Sequence, residues 1–358
     1  MNQTPAWGSL LHTLYGIEKV RVDAGFEDLL SNKINIPPGI RSTASDSQNH
    51  LRDFLSRECL RDTNFPRVLS KIDSDFLGGS FARHTKTWPL DDIDLYVPLD
   101  GHNLFYMQNG QRLPYVVQSD GILLRNPLLT ERWANGQYVS SAKLLLEFSR
   151  VLARHYRGSD VRINGNRVSI RMKQGASADS DGLGYDIVPC FSLKPDRAGE
   201  FEVYLIADGY GGWTRTNPRL DADVCEILQA FHNKIYRKVV KLVKYWNETR
   251  LVSNISSYYI EFAICTEFLN RKVNNQPFSR ITEGLAAAFD ALDRAFMAGD
   301  QTSWIANAPP IRKPLLTASQ SGLLKFARNA SELACIYEGL GKDGESREQW
   351  RSVFGDFS

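Results

Sequence analysis

The chain reads as an α+β lobe followed by an all-helical lobe, with a cleft between them, and three observations carry this reading. Period-2 alternation and Asn-Gly turns crowd the stretch from Asp92 to Thr216, long 3.6-residue patterns replace them from Asp221 onward, and DGYGGWTRTNPRL punctuates the switch with glycines and Asn217-Pro218. The expected division is residues 1–220, including the N-terminal helices, and residues 221–358.

The elements follow in chain order. Leu10, Leu11, Leu14, Ile17 and Val20 are spaced for a helix packed on the body. NIPPGIRSTASDSQ interrupts the pattern with prolines and small polar residues, and a second helix is expected from about Ser45 to Leu60, where Leu51, Phe54 and Leu55 recur at helical spacing. DIDLYVPL alternates as a strand, while FYMQNGQRLPYVV and DVRINGNRVSIRM each place Asn-Gly between apolar runs and read as hairpins. SSAKLLLEFSRVLARHY between them is an amphipathic helix, and YDIVPCF is a short strand closed by Pro189. VCEILQAFHNKIYRKVVKLVKYWNE reads as one long helix, with SSYYIEFAICTEFLN, GLAAAFDALDRAFM and SGLLKFARNASELACIYEGL as three more.

Composition narrows the setting. The 358 residues are 42% apolar and 23% charged, enough for sizeable cores. A net charge of +2 without basic or acidic tails gives bulk electrostatics no case for nucleic acid or membrane as partner. Five cysteines without CxxC spacing argue against a zinc module and fit free thiols in a reducing compartment. No run approaches the roughly 18 apolar residues of a membrane helix. MNQTPAWGSLLHTLYG has no basic segment leading into an apolar one, so a cytoplasmic location is expected.

The chemistry concentrates in LGGSFARHTKTWPLDDIDLYV. In an extended chain Asp92 and Asp94 share one face and Ile93, Leu95 and Val97 the other. Neighbouring carboxylates repel unless something positive lies between them, and a divalent metal supplies that charge. An isolated DxD more often decorates a strand edge. Here Gly78, Gly79 and Ser80 precede it, a turn whose backbone N–H groups and hydroxyl suit a phosphate. Phosphoryl chemistry with two metals roughly 4 Å apart also calls for a third acid. Asp186 in GYDIVPCF is one candidate; Asp179 and Asp181 in ASADSDG could chelate a cation but read as a solvated turn, and Asp91 as a neighbour on the wrong face.

GGSFARHTKTWPLDDIDLYV resembles the signature of the DNA-polymerase-β-type nucleotidyltransferases, nearest to the branch of bacterial CD-NTases, cyclic GMP-AMP synthase and oligoadenylate synthase. The resemblance implies a polymerase-β-like lobe with a mixed sheet and a C-terminal helical lobe. It also implies a third catalytic carboxylate on a neighbouring strand, which GYDIVPCF matches at Asp186. Arg83, common in bacterial versions of the turn, touches phosphate or braces the loop. GWTRTNP and EQWRSVFGDF also resemble segments of the bacterial members, so the likeness runs in patches from Phe76 to Phe357.

Lys234, Arg237, Lys238, Lys241 and Lys244 fall on one side of a helix, opposite Ile235, Val239, Leu242, Val243 and Trp246. Such a stripe is usually a solvated face; opposite three acids it suits a triphosphate. KLVKYWNE followed by NISSYYIEFAI is similar to the second-lobe pattern of the cyclic GMP-AMP synthase group. That likeness implies phosphate contacts at Lys244 and Ser257 and base stacking at Tyr258; Lys241, one turn earlier, also fits. Tyr259 faces elsewhere, so one tyrosine of the pair stacks. No cysteine-histidine insertion like a zinc thumb is present, so no DNA requirement is expected.

The expected activity is synthesis of a cyclic di- or oligonucleotide from nucleoside triphosphates, with ATP and GTP as substrates and cyclic GMP-AMP as the mixed product. Asp92, Asp94 and Asp186 would hold two Mg2+ ions, with Mn2+ as a substitute, and Gly79, Ser80, Arg83, Lys241, Lys244, Ser257 and Tyr258 would hold nucleotide. The resemblance further implies a role in antiphage (CBASS) defence through a separate effector that reads the product. The alternatives are a nucleotidyltransferase acting on an RNA end, a protein or a small molecule, and a non-catalytic nucleotide sensor. The sensor would most simply have lost an acid, and all three are present.

Overall fold

The computed structural model describes residues 22–69, 76–107, 115–117, 126–129, 132–136, 138–172, 183–193, 202–252, 254–305, 308–355 and 357. The helix expected over Leu10 to Val20 lies outside them, as do Asp179 and Asp181. The strands are β1 (Phe76–Leu77), β2 (Ile93–Pro98), β3 (Phe105–Met107), β4 (Tyr115–Val117), β5 (Ala134–Asn135), β6 (Tyr138–Val139), β7 (Asp160–Asn164), β8 (Arg167–Arg171), β9 (Gly184–Leu193), β10 (Val203–Ala207) and β11 (Trp213–Thr216). The main sheet is ordered β1-β2-β9-β10-β11, with β8 and then β7 added beside β9; β3-β4-β6-β5 form a smaller sheet. Within the main sheet β2 and β9 are parallel and the other pairs antiparallel, so the sheet is mixed as expected.

Alternation along β2 works as the sequence predicts. Ile93, Leu95 and Val97 are buried in one core, while Asp94 and Tyr96 turn to the opposite face. β9 repeats the pattern, with Tyr185, Ile187 and Phe191 in that core and Asp186, Val188 and Cys190 opposite. Pro189 does not close this strand. Its missing N–H falls where the neighbour on one edge changes, since β8 pairs with residues 184–187 and β10 with residues 190–193. The β7-β8 hairpin turns at Gly165-Asn166, one residue later than the Asn-Gly pair, because Gly165 takes the left-handed φ of 60° that the turn requires. β3 and β4 pair as the other expected hairpin.

The helices are α1 (residues 22–29, continuing through a π turn at Leu30–Ile34), α2 (Pro38–Arg61), the single turn α3 (Gly79–Ala82), α4 (Ser141–His155), α5 (Pro218–Phe231), α6 (Tyr236–Arg250), α7 (Ser257–Val273), α8 (Ile281–Ala298), α9 (Ala318–Gly339) and α10 (Asp343–Phe354). The prolines expected to interrupt the chain start α2 instead: Pro38 sits in its first turn, where a missing N–H costs nothing. Residues 218–250 form two helices rather than one. The break holds Asn233 and Lys234 at positive φ, and tertiary bonds fix it: the Phe278 N–H donates to buried His232 Nδ1 at 3.2 Å, and Asn233 Nδ2 donates to the Phe278 carbonyl at 2.9 Å. Lys234 therefore stands off the helix that carries the rest of the basic stripe.

Two large cores result. One lies between the main sheet, α2 and α4, and includes Phe148, Ile187 and Trp213. The other is built by α5 to α10, and α1 joins it rather than the first, with Phe26 packed edge-on against Trp350 at 5.1 Å. The switch from strand to helix falls at Asn217, whose side chain caps α5 by accepting from the Leu220 N–H at 3.0 Å. Among the described residues no helix is long and apolar enough to cross a membrane.

Candidate active site

The three acids meet because of strand register. Asp94 on β2 lies directly opposite Asp186 on parallel β9, and Asp92 immediately precedes β2 on the same face. The glycine pair is shaped to this face. The Gly78 N–H donates to the Asp94 carbonyl at 2.9 Å, so it is engaged by the strand and not offered to a phosphate. A Cβ at Gly79 would sit 1.7 Å from Asp94 Oδ2, and Gly79 also holds a φ of 61°, so no other residue fits without displacing the acid. Ser80 follows in the first turn of α3.

Burial and mutual repulsion dominate the electrostatics. Burial, then Asp92 and Asp186, push the Asp94 carboxyl up to about 6, against the pull of Arg167 and Arg83. Asp92 is also raised, first by burial and further by Asp91 and Asp186, although Lys86 opposes this. Lys86 donates to Asp91 Oδ1 at 2.5 Å and also touches Asp92, so Asp91 shares a cation with the site instead of facing away from it. Asp186 is buried, with Ser169 Oγ donating to its Oδ1 at 2.5 Å and Arg167 Nε 2.7 Å from its Oδ2. The Arg167 N–H is not aligned as a hydrogen bond, and the contact is an ion pair.

Two cavities meet at these acids. One, of about 530 Å3, opens between the lobes and is lined by Ser80, Asp92 and Asp94 from the first and by Ser257 and Tyr258 from the second. The other, of about 460 Å3, lies over β7 and β8 and holds Ser169 and Asp186. Asp92 and Arg167 line both. A larger cavity of about 670 Å3, lined by Cys59, Phe65, Leu128 and Trp133 among others, contains none of the three acids.

The expected nucleotide-binding residues divide. Gly79, Ser80, Arg83, Ser257 and Tyr258 line the cleft; Lys241 and Lys244 do not. Tyr258 is partly exposed there, whereas Tyr259 is fully buried with its hydroxyl donating to the Gly299 carbonyl at 3.2 Å, so one tyrosine of the pair is free to stack. Lys244 is buried, pairs with Glu261 on α7 and donates to the Thr85 carbonyl at 3.2 Å. Arg83 Nε donates to the other Glu261 oxygen at 2.7 Å. Burial opposes ionisation of Glu261, but the charges of Arg83 and Lys244 outweigh it and hold the carboxyl down at about 2. This triad ties the turn after α3 to α6 and α7. Lys241 Nζ donates to Asn35 Oδ1 at 2.8 Å, Lys238 pairs with Glu27, and Arg237 pairs with Glu226 and donates to the Arg83 carbonyl at 2.9 Å. The stripe that reads as a phosphate face is bound up in packing α6 against α1, α5 and the lobe junction.

Four side chains of the site escaped the sequence reading. Glu261 had a signal, a lone acid inside the apolar run YYIEFAI of a buried helix. Arg167 and Ser169 alternate on the β8 face that pairs with Asp186, in register Ser169 to Asp186, but only the partner strand gives that alternation meaning. Lys86 lies in a loop with no periodicity to read.

The acids also fit a hard divalent cation in type: three carboxylates on adjacent strands, one with an oxygen, Asp92 Oδ1, that is buried and makes no aligned hydrogen bond. Among the described residues no acidic, histidine or cysteine side chains converge closely enough to hold an ion as they stand. The reason is visible, since Asp92 leans to Lys86 and Asp186 to Ser169 and Arg167.

No family model matches the chain. A curated relative, a probable cyclic nucleotide synthase of Bacillus cereus strain VD146, is 25% identical over 347 residues, which span 93% of this chain and 96% of the relative. Escherichia coli MS115-1 CdnC, solved with ATP, superposes with a TM-score of 0.59 at 17% identity over 94% of this chain and 98% of its own. The Bradyrhizobium diazoefficiens CD-NTase CdnG in complex with GTP gives 0.58 at 12% identity over 93% and 98%. The fold is that of these CD-NTase structures, a lobe built on a mixed sheet that carries the acids and a helical second lobe. The resemblance to bacterial CD-NTases extends along nearly the whole chain, in sequence to the synthase and in fold to CdnC and CdnG.

Proposed function

We propose that the protein joins nucleoside triphosphates into a cyclic di- or oligonucleotide, releasing pyrophosphate at each transfer. The observation that carries this is the pairing of Asp94 with Asp186 across parallel strands, beside Asp92, where the cleft between the lobes, lined by Asp92 and Asp94, meets the cavity that holds Asp186. The relative named a cyclic nucleotide synthase and the neighbours solved with ATP and GTP support nucleotide substrates.

Asp92, Asp94 and Asp186 would hold divalent cations, Mg2+ or Mn2+, whose chemistry there would be to offset charge on the phosphate and to lower the pKa of the attacking hydroxyl. The chain's own residues do the rest. Ser80 and Ser257 bind the donor phosphates from opposite lobes and keep the α-phosphorus facing the acids. Tyr258 stacks on a base. Asp186 takes the proton from the acceptor ribose hydroxyl, whose oxygen attacks the α-phosphorus as the bond to pyrophosphate breaks. A second transfer, after the linear intermediate turns in the cleft, closes the ring. Arg83 and Lys244 serve by holding the lobes through Glu261. ATP and GTP as the substrate pair, a separate effector and a part in antiphage defence complete the reading.

The test is incubation with four labelled nucleoside triphosphates and Mg2+ or Mn2+, then phosphatase and mass analysis. A phosphatase-resistant product without free ends is expected. Extension of added RNA, or binding without pyrophosphate release, overturns the proposal.

A further inference from the structure

Asp186 is the acid that completes the site, and β8 engages both of its oxygens: Ser169 holds Oδ1, and the Arg167 guanidinium stands 2.7 Å from Oδ2. The acid side chain is 7% exposed and that of Arg167 36%, so water screens this pair only in part. A guanidinium keeps its charge at any working pH. A divalent cation at Oδ2 would stand within a few ångström of it, and two cations on one carboxylate oxygen repel. Lys86 faces no such conflict, because it bridges Asp91 and Asp92 and can keep Asp91 while Asp92 turns to a cation. Among the described residues Asp186 is the carboxylate that Arg167 touches. Arg167 also lines the cleft between the lobes, together with Ser80 and Ser257.

We propose that Arg167 competes with the divalent cation for Asp186 and, on yielding it, turns into the cleft to bind nucleotide phosphate. This rests on the proposed function, since it presumes a cation on Asp186 and a triphosphate in the cleft. Arg167 is a positioning residue here: it holds Asp186 in a fixed rotamer until a cation claims it, and it couples cation binding to phosphate binding. The opposite role, an outer partner that orients Asp186 toward the metal, predicts the opposite sign for the same substitution.

Mn2+ binding to the full chain without nucleotide, followed by the electron paramagnetic resonance of the free ion, decides between them. Arg167→Gln is expected to bind Mn2+ roughly three- to tenfold more tightly than the wild type and to raise the KM for nucleoside triphosphate more than it lowers kcat. Arg167→Lys, which keeps the charge, is expected to stay near the wild type in Mn2+ affinity. In an Asp186→Asn background the gain from Arg167→Gln should shrink to the part that Arg167 exerts on Asp94 through its charge; a gain as large as in the wild-type background overturns the competition for Asp186. Unchanged or weaker Mn2+ binding by Arg167→Gln overturns the competition. A wild type that takes up no Mn2+ removes the proposed function itself, and this inference with it.

Discussion

The acidic face of β2 and β9 and the basic face of α6 are equally conspicuous in the sequence, yet the fold treats them in opposite ways. The acids come together where the two cavities meet, outnumbering the cations that touch them, Lys86 and Arg167, with Asp94 pushed up to about 6. The bases are dispersed: Lys238 to Glu27, Arg237 to Glu226, Lys244 to Glu261, Lys241 to Asn35, and Lys234 onto a turn before the helix. Acids that outnumber their cations at a cleft point to ligand chemistry. Charges with partners point to assembly.

That contrast can be broken most decisively at the acids. Asp92→Ala, Asp94→Asn or Asp186→Asn should each lower pyrophosphate release by about a thousandfold or more, with thermal melting no lower than the wild type for Asp94→Asn, because that change removes a repelled charge. A variant that keeps product formation would take its acid out of the metal site. The next effect belongs to the basic side. Glu261→Ala strands two buried cations and should cost about 3–5 kcal/mol in urea unfolding, whereas Asp94→Asn should cost nothing. Activity lost in Lys244→Met without loss of stability would return the basic helix to the cleft.

A smaller effect sharpens the acidic half. The Asp94 carboxyl titrates near 6 in the folded chain against 3.8 for the free group. Between those values the unfolded chain releases its proton first, so without divalent cation stability should fall as pH rises from about 4 to 6 and stay lower above that. The loss is on the order of 2 kcal/mol, read from melting temperatures across that range, and Asp94→Asn should flatten it. Smallest of all, Lys241→Met should leave the KM for nucleoside triphosphates within about twofold, because its ammonium is directed at Asn35 and away from the cleft. A large KM rise would show that α6 does reach phosphate.

Much of the site was readable because it depends on short-range geometry. The period of a strand assigns Asp92 and Asp94 to one face whatever surrounds them, and the apolar flanks of Asp186 mark a strand, whose place beside that face only the resemblance implied. The turn glycines were readable too, although for a different duty, since Gly78 and Gly79 make room for Asp94 and Tyr96 more than for a ligand. The long helical pattern of residues 224–248 misled, because local periodicity carries straight through His232, and the bonds that stop it come from Phe268 and Phe278, far along the chain.

The sequence by itself determined the α+β lobe, the helical lobe and the shared face of Asp92 and Asp94, because backbone periodicity and side-chain type are local properties, while Asp186 entered as a candidate through a family resemblance. Only the tertiary structure decided which charges are free. It set Arg167 on Asp186 and Glu261 between Arg83 and Lys244, and it placed α1 in the second core. A charge acts according to what lies within a few ångström of it, and those neighbours are assembled from distant parts of the chain.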